Sequence, residues 1–214
     1  MTRILYIESA PQAGGSTVSL YELVRGIDRN AFHPIVLLCA SNPYVERFRE
    51  IGATVLVGEY CSRRTPAYPA ALAQARRSGW AARLRGQAVT RSLWRAGGLL
   101  VRTLHDTLPQ ARVVQRIIRE RRIDLVHLND APELHKAGIV ASRLAGVPCV
   151  CHVRSMPPLD ALDRFLARWV AHFVFISQAV ERDQRNKGLG DRPGSVIYNA
   201  LDLGAYRALD RTAA

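Results

Sequence analysis

Short apolar runs alternate with amphipathic helical stretches along the chain, and this order leaves few folds open. Residues 3–8 (RILYIE), 34–39 (PIVLLC), 53–57, 124–128 (DLVHL), 149–153, 172–176 and 195–198 read as strands. Between them lie stretches of helical period. Leu20, Leu23, Val24 and Ile27 form one buried stripe, and Ala111, Val114, Ile117 and Ile118 form another, with Arg112, Arg116 and Arg119 placed away from it. Ser16 or Thr17 is expected to cap the first helix, and Asn42-Pro43 starts the second as cap and first-turn proline. Residues 134–145 form a helix ended by Gly146-Val147-Pro148. Residues 159–170 are helical, and Ser177 caps a helix running to about Lys187. Strands nearly all apolar and separated by helices predict an α/β fold: a Rossmann-like, doubly wound parallel sheet of about seven strands, covered by helices on both faces. With 214 residues and 48% apolar content, one such domain has enough material for a core.

The charge is unevenly placed. Within 60–122 stand fourteen arginines against Asp106 and Glu120, which is the whole net charge of +12. Three readings of this segment stay open. It is a solvated face in an arginine-biased protein, consistent with two lysines (Lys136, Lys187) in the whole chain. It docks on an anionic membrane surface as a basic amphipathic helix, with Trp80, Leu84, Leu93 and Trp94 entering the interface. Or it binds nucleic acid, an option placed last because no nucleic-acid module motif occurs. No run is long enough to span a bilayer and nothing resembles a signal peptide. The chain therefore reads as cytoplasmic, with a peripheral place on the inner face of the plasma membrane left open. Four cysteines do not make a disulfide framework at this size. Cys149 and Cys151, two apart in an apolar strand, read as buried thiols, because no histidines stand at ligand spacing for a metal.

In a doubly wound sheet the ligand crevice lies beyond the carboxyl ends of the strands. The candidates are the residues just beyond each strand: 8–16, 129–133, 152–156, Ser177 and 199–202. Gly14-Gly15, with Ser16 next in the chain, lets a phosphate approach main-chain amides at a helix start, or else forms a tight turn in which glycine relieves crowding. A dinucleotide fingerprint does not fit: the G-x-G-x-x-G spacing is wrong, and Cys39-Ala40-Ser41 stands where the acid should be. A P-loop fails for want of G-K-[ST]. His152, with Arg154 and Ser155 just beyond it, could hold a phosphate or a sugar hydroxyl, or could simply bond a neighbouring carbonyl. His127, Asn129, Asp130 and His135 cluster at another strand end. Asp130 or Glu133 could act as a base, although capping the next helix explains Asp130 more simply. Ser177 is most simply a cap, and Asn199 and Asp202 fit a polar turn.

These segments, ILYIESAPQAGGSTVSLYELVRGI, DLVHLND with HKAGIVASRLAGVPCVCHVRS, FVFISQAVERD and SVIYNALD, together resemble the N-terminal domain of family-4 glycosyltransferases, enzymes of the GT-B fold with two facing Rossmann-like domains. The resemblance covers most of the chain in order, least so in 60–122. It implies residues 1–203 as the acceptor-side domain and 204–214 as the start of an interdomain linker or tail, with the C-terminal nucleotide-sugar domain absent. It also implies a retaining transfer of a sugar from a nucleotide diphosphate sugar, as substrate, to an acceptor such as a lipid-linked or cell-envelope glycan, without a metal or other cofactor. Gly15, with Gly14 and Ser16, would face the donor diphosphate. His152 matches the catalytic-site histidine that helps to hold the transferred sugar. Asn129, Asp130, Arg154, Ser155, Ser177 and Asn199 are the expected substrate-binding residues. One departure is Ala200, where glycine is commoner in relatives. The isolated half is expected to be inactive and to need its missing domain in cis or in trans. The alternative is a non-catalytic binding or scaffold module of the same fold that works with a separately encoded partner.

Overall fold

The computed structural model describes residues 1–58 and 106–200, and the elements are numbered within them. In chain order they are β1 (Thr2–Glu8), α1 (Gly15–Gly26), β2 (Phe32–Leu38), α2 (Tyr44–Glu50), β3 (Thr54–Val57), α3 (Leu108–Glu120) and β4 (Leu125–Leu128). Next come α4 (Lys136–Ala145), β5 (Cys149–Val153), α5 (Ala161–Leu166), β6 (His172–Phe175), α6 (Gln178–Gln184) and β7 (Gly194–Val196). Most of the arginine-rich segment, including Trp80, Leu84, Leu93 and Trp94, which the membrane reading would place in the interface, and the tail 204–214 lie outside the described residues. Its described end, α3, buries Ala111, Val114, Ile117 and Ile118 and exposes Arg112, Arg116 and Arg119, as the stripe predicts.

All seven strands are parallel, in the order β3-β2-β1-β4-β5-β6-β7. The side-chain period of two divides each strand between two cores. Leu5 and Ile7 of β1 join Ile35, Leu37, Val126, Leu128, Cys149, Cys151 and Val153, under α3 and α4. Ile4 and Tyr6 join Val36 and Leu38 on the other face, under Leu20 and Val24 of α1 and Val45 and Phe48 of α2. Contact on the first face is close: a Cβ on Gly138 of α4 would stand 2.7 Å from Leu128 Cδ2, so any larger residue there would have to displace the Leu128 side chain.

Several local expectations are corrected. The cap of α1 is Gly14, not Ser16 or Thr17; Thr17 lies inside the first turn, where its hydroxyl accepts from the Gly14 N–H at 3.5 Å. α4 begins at Lys136, because Pro132–Leu134 forms a separate 3-10 turn and His135 breaks the helical backbone. The helix expected over 159–170 is α5 plus a 3-10 turn, Ala167–Trp169. Asp160 starts α5, accepting from the Asp163 N–H at 2.8 Å while the Asp163 carboxylate accepts from the Asp160 N–H at 2.8 Å. Cys149 and Cys151 are free and buried, whereas Cys39 is disulfide-bonded. No helix among the described residues is long and apolar enough to cross a membrane.

Candidate active site

The strand order reverses between β1 and β4, because the chain leaves β1 toward β2 and β3 and returns on its other side. This is the switch point at which such sheets open a crevice beyond their carboxyl ends. Register decides which side chains meet there. Tyr6 pairs with His127 and Ile7 with Leu128, while His127 pairs with Val150 and Leu128 with Cys151. One residue further on, Glu8, Asn129 and His152 form the next row, on the face covered by α1. Arg154 lies two residues on, on that same face.

The row is joined by hydrogen bonds. Glu8, with no exposed surface, accepts from the Ala10 N–H at 3.0 Å and from Asn129 Nδ2 at 2.5 Å. Asn129 Nδ2 also donates to the Ser16 carbonyl in the first turn of α1, at 3.1 Å. On its other side Asn129 Oδ1 accepts from Arg154 Nε at 2.8 Å. Arg154 Nη1 donates to Ser19 Oγ at 2.6 Å and to Asn199 Oδ1 at 2.8 Å, and Ser19 Oγ donates to that same oxygen at 2.9 Å. A chain of polar contacts thus runs from the end of β1 through β4 and β5 to α1 and the segment after β7.

His152 is 8% exposed. Its Nδ1 lies 3.2 Å from Arg154 Nη2, and since a guanidinium only donates, Nδ1 accepts and the ring proton sits on Nε2. That Nε2 is buried and has no hydrogen-bond partner among the described residues. Desolvation and then the Arg154 charge hold the His152 pKa down at about 3, so the ring is neutral. The His127 ring, tilted against it at 5.6 Å between centroids, is likewise held at about 3 by desolvation, His152, Arg154 and His135. Desolvation lowers Arg154 to about 10, opposed by Glu8 and Asp130, which leaves the guanidinium charged at neutral pH. The site therefore presents a charged guanidinium beside a neutral His152 ring whose Nε2, like that of neighbouring His127, has no hydrogen-bond partner among the described residues.

The remaining expected residues fall into place unevenly. Asp130 Oδ1 accepts from the Ala131 N–H and from Ser155 Oγ, each at 2.7 Å, so those two residues are occupied with one another beside the network. Asp130 does not cap the next helix; Ala131 holds that position, without a side-chain cap. Ser177 stands apart: its hydroxyl accepts from the Val180 N–H at 3.2 Å, as the cap of α6. Gly14 and Gly15 are exposed at the start of α1, and a Cβ on either would meet nothing within 4 Å. Neither has a positive φ. Crowding and backbone strain among the described residues therefore do not account for the glycine pair. Glu8 and Ser19 are the members of the network to which the sequence assigned no role. Among the described residues no group of three His, Cys, Asp or Glu side chains could hold a metal ion.

A parallel sheet with its polar row at the switch point, under a glycine-started helix, defines a Rossmann-like ligand-binding domain. The chain belongs to Glycosyltransferase Family 4, whose model matches residues 13–205. The fold is that of GT-B glycosyltransferases. Anabaena Alr3699/HepE, solved in complex with UDP, matches with a TM-score of 0.63 at 19% identity, over 96% of this chain and 46% of that one. The lipopolysaccharide outer core galactosyltransferase WaaB, in its apo form, matches with a TM-score of 0.54 at 10% identity, over 94% of this chain and 46% of that one. The chain thus spans about half the length of the solved structures it matches. No curated protein matches it by sequence.

Proposed function

We propose that this chain is the acceptor-side half of a retaining glycosyltransferase that moves a sugar from a nucleoside diphosphate sugar to a glycan or lipid-linked acceptor. It works with a nucleotide-binding domain supplied in cis or in trans. The observation that carries this reading is His152 Nε2, without a partner among the described residues and beside Arg154, on the sheet face covered by the helix that starts at the exposed Gly14-Gly15. A neutral N–H donor and a fixed cation suit a sugar hydroxyl and a phosphate oxygen, and the bare first-turn amides suit a diphosphate. Support for the donor class comes from the family and from HepE, which has also been solved in complex with UDP-glucose. Asp130, Ser155 and Asn199 line the acceptor side in this reading, buried Asn129 holds Arg154 rather than the substrate, and Ser177 supports α6 alone. The reaction needs no metal or other cofactor in this reading, and it takes place on the cytoplasmic side of the membrane.

The test is transfer itself. Native protein is captured from its source cells with an antibody to this chain and given radiolabelled UDP-, GDP- and dTDP-sugars with a membrane extract. Label is expected to enter an extractable acceptor from one of these donors. Absence of transfer from every donor, with the captured protein folded, would remove the transferase reading and favour a binding module.

The glycine pair supplies a sharper prediction. Gly15→Ala meets no neighbour and enters a helical turn, so the melting temperature is expected to hold or rise, by up to about 1 kcal/mol in stability. Transfer is expected to fall about tenfold or more, because a methyl group would stand between the amides and the donor phosphate. Full activity in this variant would return Gly15 to the role of a plain helix start.

A further inference from the structure

We infer that Glu8 and Asn129 are positioning residues for Arg154, so that the end of β1 sets how the guanidinium faces the site; the inference rests on reading that site as a sugar-transfer centre. The fold itself does not call for an acid at residue 8. Ile4, Leu5, Tyr6 and Ile7 already fill both cores from β1, and a strand-end carboxylate normally stays in water. Here it has no exposed surface, and burying a lone carboxylate costs several kcal/mol unless its oxygens are matched by donors and charge. The donors are the Ala10 N–H, Asn129 Nδ2 and the Ser16 hydroxyl. The nearby positive charge is Arg154.

The link between the two charges is a carboxamide with a single permitted orientation. Asn129 Nδ2 faces two acceptors, Glu8 Oε2 and the Ser16 carbonyl. A flipped amide would set Oδ1 against both, oxygen to oxygen. With Nδ2 fixed by Glu8, Oδ1 must face Arg154 Nε, at 2.8 Å. That contact turns the guanidinium so that Nη1 reaches Ser19 and Asn199 and Nη2 reaches His152 Nδ1. Arg154 in turn keeps the His152 proton on Nε2. A carboxylate at position 8 therefore determines, through two intermediates, which nitrogen of His152 offers a proton to a ligand.

Glu8→Gln keeps the shape and breaks the logic. A glutamine oxygen can serve either the Ala10 N–H or Asn129, and its NH2 group then opposes the other donor. The direct readout is the Arg154 Nε–H signal in the 15N spectrum of the labelled chain, assigned by its loss in Arg154→Lys. In the wild type it is expected to be shifted and protected. In Glu8→Gln it is expected to move and to exchange about tenfold faster or more, with partial return in Glu8→Asp. Should Glu8→Gln fail to fold, Asn129→Ala tests the same link and is expected to release the same signal. In the transfer assay on the native-length protein, Glu8→Gln is expected to lower kcat/KM about 10- to 100-fold. In an Arg154→Ala background the same change is expected to cost less than about twofold, since residues acting as a unit are not additive. An unmoved Arg154 signal in a folded Glu8→Gln or Asn129→Ala chain would overturn the positioning role, as would equal losses in the two backgrounds. A released signal alongside an inactive wild type would support the positioning role and sink the sugar-transfer reading instead.

Discussion

Replacing His152 by alanine is expected to lower kcat by about 100-fold or more, the scale on which a single preorganised donor to a reacting group acts, while leaving the fold intact. The side chain sits at a strand end, 8% exposed; among the described residues its hydrogen bond is the 3.2 Å contact with Arg154, and the His127 ring is tilted against it. His152 belongs to neither hydrophobic cluster, and its buried Nε2 has no partner among the described residues to lose. The expected result is a separation of effects: a melting temperature near that of the wild type, and transfer nearly gone. The ring acts as a neutral donor, because desolvation and Arg154 hold its pKa at about 3. Its titration therefore lies below the working range, and the pH–rate profile should carry no imidazole limb between about pH 5 and pH 8. Turnover unchanged in His152→Ala would remove the residue from the site. A limb near the ordinary histidine pKa that disappears in the variant would show instead a ring that takes up a proton in the folded protein.

How far the sequence exposed this site depended on the distance each contact spans. The segments DLVHLND and CVCHVRS show their own period of two, so that His127 and Asn129, and likewise His152 and Arg154, are seen to share a strand face. The stripe of α3 and the cap at Ser177 are equally local, and both appear as read. What a single strand does not disclose is its neighbour. Glu8 and Asn129 stand 121 positions apart and meet only because β4 pairs with β1 rather than with β3. Without that pairing Glu8 looks like a solvated strand end. Ser19 is hidden for the same reason, since its partners Arg154 and Asn199 come from beyond β5 and from beyond β7. Asp130 failed in the other direction. Its spacing before a helix suggested a cap, but Pro132 starts a 3-10 turn of its own and the carboxylate turned to Ser155 instead.

Acid is expected to unfold this domain earlier than its carboxylates alone would dictate. His152 and His127 are held near pKa 3, and burial lowers His135 as well, with Asp130 opposing. In the unfolded chain each titrates near 6.5. Between these limits the unfolded state binds protons that the folded state refuses, so stability rises with pH and is lost as pH falls from about 6.5. Each such histidine contributes a slope of up to about 1.4 kcal/mol per pH unit. Glu8 works in the opposite sense: burial raises its pKa, so just above the ordinary carboxylate range the folded state binds the extra proton and gains from acidification. Burial raises Asp163 as well, and three histidines against these two carboxylates leave the net sign unchanged. The three shares together come to a loss of up to about 6 kcal/mol between pH 7 and pH 5, less what the raised carboxylates return, a large share of the roughly 5–15 kcal/mol that holds a domain together. Urea midpoints at pH 7, 6 and 5 measure it. His135→Leu, which removes a fully buried ring, is expected to flatten the dependence by one histidine's share. A midpoint that does not move with pH in the wild type would mean that the three rings accept protons without leaving the fold, and the neutral His152 donor would fall with it.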